Sequence, residues 1–180
     1  MNASSLERAL ESVGECLSYH TDIELLLVGG AAGMLTGLLP PSRTTLDCDV
    51  MAYEPEKAMA AVELAAERVA HELGFAPTWL NSDVQIRLDA LPADWRTRRV
   101  WIGSWGRLIV FAVSRIDFIA MKVLAGRPQD IEDIHSMHPR PDDIEFVWAY
   151  LNSLEARGTS PVQISDARTL LDSLEFNNRE

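Results

Sequence analysis

The sequence predicts an α/β (α+β) fold, a mixed sheet flanked by helices with a helical region at the C-terminal end, and three observations carry that reading. "IELLLV", Ile23 to Val28, is a short apolar run that stops at Gly29-Gly30, as strands buried on both faces do. "TTLDCDVMAY", Thr44 to Tyr53, alternates in polarity, which is the period of a half-buried strand. From Ser114 onward the apolar residues recur at helical spacing, with no further strand signal.

Taken in order, Ser4 or Ser5 caps a first helix whose apolar face is Leu6, Ala9, Leu10, Val13 and Leu17, ending near His20. The strand to Val28 leads into a helix over Ala31 to Leu39, stopped by Pro40-Pro41. In the second strand, alternation sets Leu46, Cys48 and Val50 on one face and Thr45, Asp47 and Asp49 on the other. Glu54 to Leu73 is a long amphipathic helix, with Pro55 suited to its first turn and Gly74 to its cap. "DVQIRLDAL" alternates again, placing Val84, Ile86 and Leu88 inward and Gln85, Arg87 and Asp89 outward on a third strand. "RVWIG" and "RLIVFAV" are further strands joined at Gly103 to Gly106, and Ser114 then opens a helix through Leu124 that ends at Gly126. "DIEDIHSM", "DIEFVWAYLNSLEARG" and "SDARTLLDSLEF" are helical. The 180 residues suit one domain, with an α/β core over residues 1–113 and a helical region over 114–180.

Composition narrows the function classes. With 47% hydrophobic and 24% charged residues, ten Gly and nine Pro, usage is that of an ordinary globular chain rather than a disordered one. The apolar stretches fall far short of the roughly 20 residues of a membrane span, and Met1 to Glu7 lacks a basic leader. The expectation is therefore a cytoplasmic protein with no membrane partner. A net charge of -11 disfavours extended binding to polyanionic nucleic acid but not to a small nucleotide. The basic cluster "RTRR", Arg96 to Arg99, reads as a solvated hairpin end before a phosphate contact. Cys16 and Cys48 have no metal-ligand spacing, so both read as core residues. His135 and His138 likewise lack a recognised metal spacing.

The chemistry lies between Leu25 and Met51. Two carboxylates at i and i+2 of one strand face stand about 6 to 7 Å apart. At an effective dielectric of about 20 they repel by roughly 2.5 kcal/mol, and by well under 1 kcal/mol when fully hydrated. A solvated strand face is thus the ordinary reading of Asp47 and Asp49 taken alone, and partial burial would call for a cation. Magnesium suits such a pair because it takes hard oxygen ligands and shares its shell with substrate phosphates. Gly29-Gly30 shifts the balance, since a glycine pair after a buried strand lets a ligand approach the backbone, and the start of the following helix offers N–H groups to a phosphate. The spacing of "VGGAAG" fits neither the dinucleotide fingerprint nor Walker A.

Gly29-Gly30, Arg43-Thr44-Thr45 and Asp47-Cys48-Asp49-Val50 resemble the "GG...R.T.DxD" signature of minimal nucleotidyltransferases of the polymerase-beta-like superfamily. "RIDFIAMKVLAGRPQDIEDI", Arg115 to Ile134, is similar to the "D...xK..A.R..KDxxDI" segment of nucleotidyltransferase-like proteins related to abortive-infection toxins of the type IV toxin–antitoxin class. The two matches run from Leu25 to Ile134, and the resemblance does not extend to the remaining C-terminal helices. The resemblance implies a nucleotidyltransferase-like sheet and transfer of a nucleoside monophosphate from a nucleoside triphosphate, with Mg2+ or Mn2+ as cofactor. It assigns the metal to Asp47 and Asp49, and the nucleotide to Gly29, Gly30, Arg43 and Thr45. The acceptor it implies is open: a small molecule, a protein partner or an RNA end.

The same resemblance implies a third carboxylate on the next strand. Asp89 takes that place, with Asp83 as its rival. It also assigns Lys122 to the catalytic set. By its own neighbours, Lys122 either turns inward to pair with a phosphate or carboxylate, or faces solvent. If it faces the nucleotide, its removal slows turnover and leaves folding nearly unchanged. Asp117 fits a capping box with Ser114, and Asp130 and Asp133, which match the trailing acids of the family segment, also suit a helix's first turn. Beside the enzyme stands a second expectation, a nucleotide-binding or regulatory module that keeps the fold without the chemistry. Its support is that Gly30-Ala31 lacks the hydroxyl of the usual Gly-Ser loop.

Overall fold

The computed structural model describes residues 1–84 and 88–177, and only the backbone of residues 175–177. The chain forms two compact units, one of Met1–Leu88 with Arg96–Val113 and one of Asp89–Trp95 with Ser114–Glu180.

The first unit holds a five-stranded mixed sheet made of β1 (Ile23–Val28), β2 (Cys48–Glu54), β3 (Leu80–Asn81), β4 (Val100–Trp105) and β5 (Leu108–Ala112). Their order across the sheet is β3-β2-β1-β5-β4. β1 lies in the centre, antiparallel to β2 and parallel to β5, which explains its near-continuous apolar sequence: both faces are covered. Glu24 is the exception in that strand. Its carboxylate receives the Arg99 guanidinium at 2.5 Å, and the same guanidinium stacks 3.8 Å above the Phe111 ring.

The longer helices that accompany the sheet in this unit include α1 (Ala3–Cys16), α2 (Gly29–Leu35) and α3 (Met59–Leu73). Leu6, Leu10 and Val13 of α1 and Val62, Ala66 and Val69 of α3 are buried, the i, i+3, i+4, i+7 stripe of an amphipathic helix. Trp79 closes this core from the loop after α3, its Nε1 donating to the Ala66 carbonyl at 2.9 Å. α1 is capped by Asn2, whose side chain accepts from the Ser5 N–H while the Ser5 hydroxyl oxygen accepts from the Asn2 N–H. The cap thus sits earlier than the serines the sequence favours, and α1 stops at Cys16 rather than near His20. α2 ends at Leu35, short of the expected Leu39, because the chain turns through Thr36 and Gly37. Before α3, Glu54 closes β2 and Glu56–Ala58 form a 3-10 turn.

Further local differences concern burial and strand length. Leu46, expected to face inward with Cys48 and Val50, is 89% exposed, because β2 begins only at Cys48 and strand alternation does not extend into the preceding bend. Cys48 is buried, but Cys16 is exposed at the end of α1. The strand expected over "DVQIRLDAL" is absent at both ends: Asp83 and Val84 have no regular structure, and Leu88–Ala90 form a 3-10 turn. Gln85, Ile86 and Arg87 of that segment lie outside the described residues. The strand beside β2 is instead the two-residue β3. The basic cluster falls at the short α4 (Trp95–Arg98), where Arg96 pairs with Glu54.

The second unit is helical, built from α5 (Arg115–Ala125), α6 (Pro128–Met137), α7 (Pro141–Ala156) and α8 (Pro161–Asn177). α5 is its core: Phe118, Ile119, Val123 and Leu124 are buried and the helix packs against the other three. Ser114 caps it by accepting from the Asp117 N–H, and Gly126 ends it. Arg115 ties α5 to α7 through Asp143 at 2.9 Å. The Asp89 and Ala90 carbonyls accept from the Arg157 guanidinium and the Tyr150 hydroxyl at 2.6 and 2.7 Å. Among the described residues no helix is long and apolar enough to cross a membrane.

Candidate active site

The β1–β2 pair positions Asp49, and Asp47 immediately precedes β2. Asp49 lies opposite Val28 in the antiparallel register, so its side chain emerges beside the point where β1 ends and the glycine pair begins. Gly29 has φ +63, a conformation that L side chains rarely adopt. One Asp49 carboxylate oxygen stands 2.5 Å from where a β-carbon on Gly29 would be, so the carboxylate occupies space that any other residue would fill.

Gly30 opens the other side of the same turn. A β-carbon there would stand 3.3 Å from the Thr45 hydroxyl oxygen and 3.9 Å from an Arg43 guanidinium nitrogen. Thr45 in turn donates its hydroxyl toward Asp47, with the Asp47 carboxylate oxygen and its own carbonyl oxygen both at 3.1 Å. The loop bearing these residues is anchored through its backbone: Arg43 N–H donates to the Pro40 carbonyl at 2.9 Å and Thr45 N–H to the Met1 carbonyl at 3.0 Å. Gly29, Gly30, Arg43, Thr45, Asp47 and Asp49 therefore gather around one turn of the first unit.

The electrostatics of the pair register on Cys48, the residue between them. Burial pushes its thiol far above the usual range, and the Asp49 and Asp47 charges push it further. Asp47 is exposed and Asp49 half-buried. This set offers hard oxygen ligands from two carboxylates, which matches magnesium's habit of taking one or two carboxylates and completing its shell with water and substrate phosphates. Among the described residues, no group of three or more His, Cys, Asp or Glu side chains gathers as a metal site.

The family model described as "Nucleotidyltransferase of unknown function (DUF6036)" matches residues 4–153. The chain belongs to this family. Its match takes in all six residues of the turn and most of the chain. Neither a curated protein nor a solved structure matches significantly.

Asp89 and Lys122, which the family resemblance also singles out, belong to the second unit of this nucleotidyltransferase-family chain. Asp89 sits in the Leu88–Ala90 3-10 turn, not on a strand's polar face, so the alternation that selected it does not operate there. Lys122 is buried on two carboxylates rather than facing solvent, its Nζ 2.7 Å from Asp130 and 2.8 Å from Asp133. It also lies 5.0 Å from the Phe118 ring centroid. Arg127 approaches Asp130 from the other side at 2.6 Å. Burial alone would raise the Asp130 carboxyl, but the hydrogen bonds and charges of Arg127 and Lys122 together hold it below its usual range.

The Thr45 hydroxyl on Asp47 is a contact in the first unit that strand alternation does not specify. A threonine two residues before an aspartate is a local signal for such side-chain bonding.

Proposed function

We infer that this chain is a metal-dependent nucleotidyltransferase that moves a nucleoside monophosphate from a nucleoside triphosphate to an acceptor oxygen, and that the β1–β2 turn is its active site. The observation that carries this reading is the Asp49 carboxylate lying in the space left by the missing Gly29 side chain. It joins a ligand-accessible glycine turn to a carboxylate pair within one family-matched segment.

In this reading Asp47 and Asp49 would hold Mg2+ or Mn2+, which when bound offsets the triphosphate's negative charge. Gly29 and Gly30 leave the backbone open to close approach by phosphate. Arg43 presents a planar, permanently charged fork suited to phosphate oxygens. Held there, the α-phosphorus is open to the acceptor oxygen: a new P–O bond forms as the acceptor's hydroxyl proton passes to water, the bond to the β-phosphate breaks, and pyrophosphate departs. The chain's contribution is alignment and fixed charge at the reacting phosphate, which is the main demand of phosphoryl chemistry. α2 spans only Gly29–Leu35, so few peptide dipoles align there and Arg43 carries more of the phosphate binding than the sequence pattern implies. A protein or RNA-end acceptor, as in the toxin–antitoxin class the sequence resembles, is the acceptor we carry forward.

A second reading is a nucleotide-binding module without transfer, favoured by the lack of a third gathered acid among the described residues. One experiment separates the two. The chain is incubated with each nucleoside triphosphate labelled at the α-phosphate, with Mg2+ or Mn2+, and pyrophosphate release and label transfer to protein, RNA and small hydroxyl acceptors are followed. Transfer that Asp47→Ala with Asp49→Ala abolishes supports the enzyme. Metal-dependent nucleotide binding with no pyrophosphate release supports the module, and no binding at all removes both.

A further inference from the structure

The two carboxylates of the turn are held by different means. Asp49 is within β2, its backbone paired opposite Val28 and beside Asn81, so the sheet itself sets where its side chain starts. Asp47 precedes the strand and is exposed, outside the hydrogen-bonded ladder. Its carboxylate takes a hydrogen bond from the Thr45 hydroxyl at 3.1 Å, and the same hydroxyl is 3.1 Å from the Asp47 carbonyl oxygen. A hydroxyl has one proton to give, so this is one donor shared between the backbone and side chain of a single residue. Such sharing clamps the carboxylate against its own main chain.

The geometry points to Thr45 as the positioning residue for Asp47. Its hydroxyl engages Oδ1, which restricts how the carboxylate would turn toward a divalent cation. Gly30 is part of the device, because a β-carbon there would crowd the same hydroxyl oxygen at 3.3 Å. This assignment rests on the proposed metal site, and it gives Thr45 a different task from the nucleotide contact implied by resemblance. Hydrogen-bond partners that orient a metal's ligands are commonly worth about 10- to 100-fold in metal affinity.

The test uses the full chain and Mn2+ alone, with bound ion read by water proton relaxation, so that no turnover is needed. Wild type, Asp47→Asn, Thr45→Val and Thr45→Ser are titrated, and thermal melting checks that each variant folds. Thr45→Val keeps the shape and removes the hydroxyl, so Mn2+ affinity should fall about 10-fold or more. Thr45→Ser keeps the hydroxyl and should bind within about 3-fold of wild type, a small part of that range. If Thr45→Val binds as wild type does while Asp47→Asn does not, the positioning role is wrong and the metal site stands. If Thr45→Ser is as weak as Thr45→Val, the methyl group and not the hydroxyl matters, and the inference is again overturned. If wild type binds no Mn2+, or Asp47→Asn binds as well as wild type, the metal reading fails and takes this inference with it.

Discussion

Asp49 and Gly29 occupy one another's space: a carboxylate oxygen lies 2.5 Å from where a Gly29 β-carbon would stand. Gly29→Ala therefore meets two penalties, a left-handed backbone costing about 1–2 kcal/mol for an L residue and a displaced Asp49. Gly37 isolates the first penalty, since it has φ +71 and nothing within 4 Å of its β position. Both alanine variants should lose stability in urea denaturation, Gly29→Ala more. Only Gly29→Ala should also lose the thermal stabilisation by metal and nucleoside triphosphate that binding to the folded state confers. An equal metal and nucleotide response in the two variants would show that Asp49's place over the turn is immaterial.

Lys122 sits on Asp130 and Asp133, with all three side chains almost wholly buried. Removing one partner of a buried ion pair leaves charge without compensation, typically at a cost of about 3–5 kcal/mol. Lys122→Ala should therefore destabilise the chain by about that amount, in contrast to the small folding effect expected of a lysine facing a nucleotide. Lys122→Met combined with Asp133→Asn should recover part of the loss, because the uncompensated charge is removed along with its partner. The urea midpoints of the three proteins decide the matter, and any loss of turnover in Lys122→Ala has to be read after that correction.

Asp130 adds a pH dependence of known sign. Its carboxyl is held below the usual range in the folded chain, so the unfolded chain takes up the proton first as pH falls. The stability it contributes is complete above the ordinary aspartate value of about 3.9 and is lost as pH drops through the lower folded value. Urea midpoints measured from pH 6 down to pH 2 should therefore converge for wild type and Asp130→Asn at the acid end. A gap that stays constant across that range would mean that the folded carboxyl is not held down.

The two thiols should separate in reactivity. Cys48 is buried between Asp47 and Asp49, with its thiol pushed far up by burial and by both charges, and the thiolate is the reactive form. Cys16 is exposed. A disulfide reagent such as DTNB at neutral pH should titrate one thiol in the native chain and two after denaturation. The Cys16→Ser variant should react only when unfolded. Rapid reaction of two native thiols would contradict the buried position of Cys48.

Local chemistry made much of this chain legible. The central strand that stops before Gly29, the Ser114 cap and the stops at Gly74 and Gly126 follow from residues within a few positions of one another, and they stand where the sequence sets them, while the second strand forms beside the first but starts only at Cys48. Strand adjacency also brings Asp49 to the start of the glycine turn, because it pairs opposite Val28, whereas Asp47 lies before β2 begins. What only the tertiary structure decided depends on partners far away in sequence or on where regular structure stops. Leu46 follows the alternation of β2 in sequence yet is exposed, since no ladder reaches it. Asp89 follows an alternation too, but its backbone turns instead, with its carbonyl bound by Arg157, 68 residues away. Glu24 is tolerated in the central strand because Arg99, 75 residues on, supplies the charge it needs. Lys122 reads as amphipathic from its neighbours alone, and it is buried because a turn at Gly126 brings the carboxylates of α6 back onto α5. Periodicity specifies which way a side chain starts from its own element, whereas the burial of a charge depends on whether folding delivers an opposite charge to meet it.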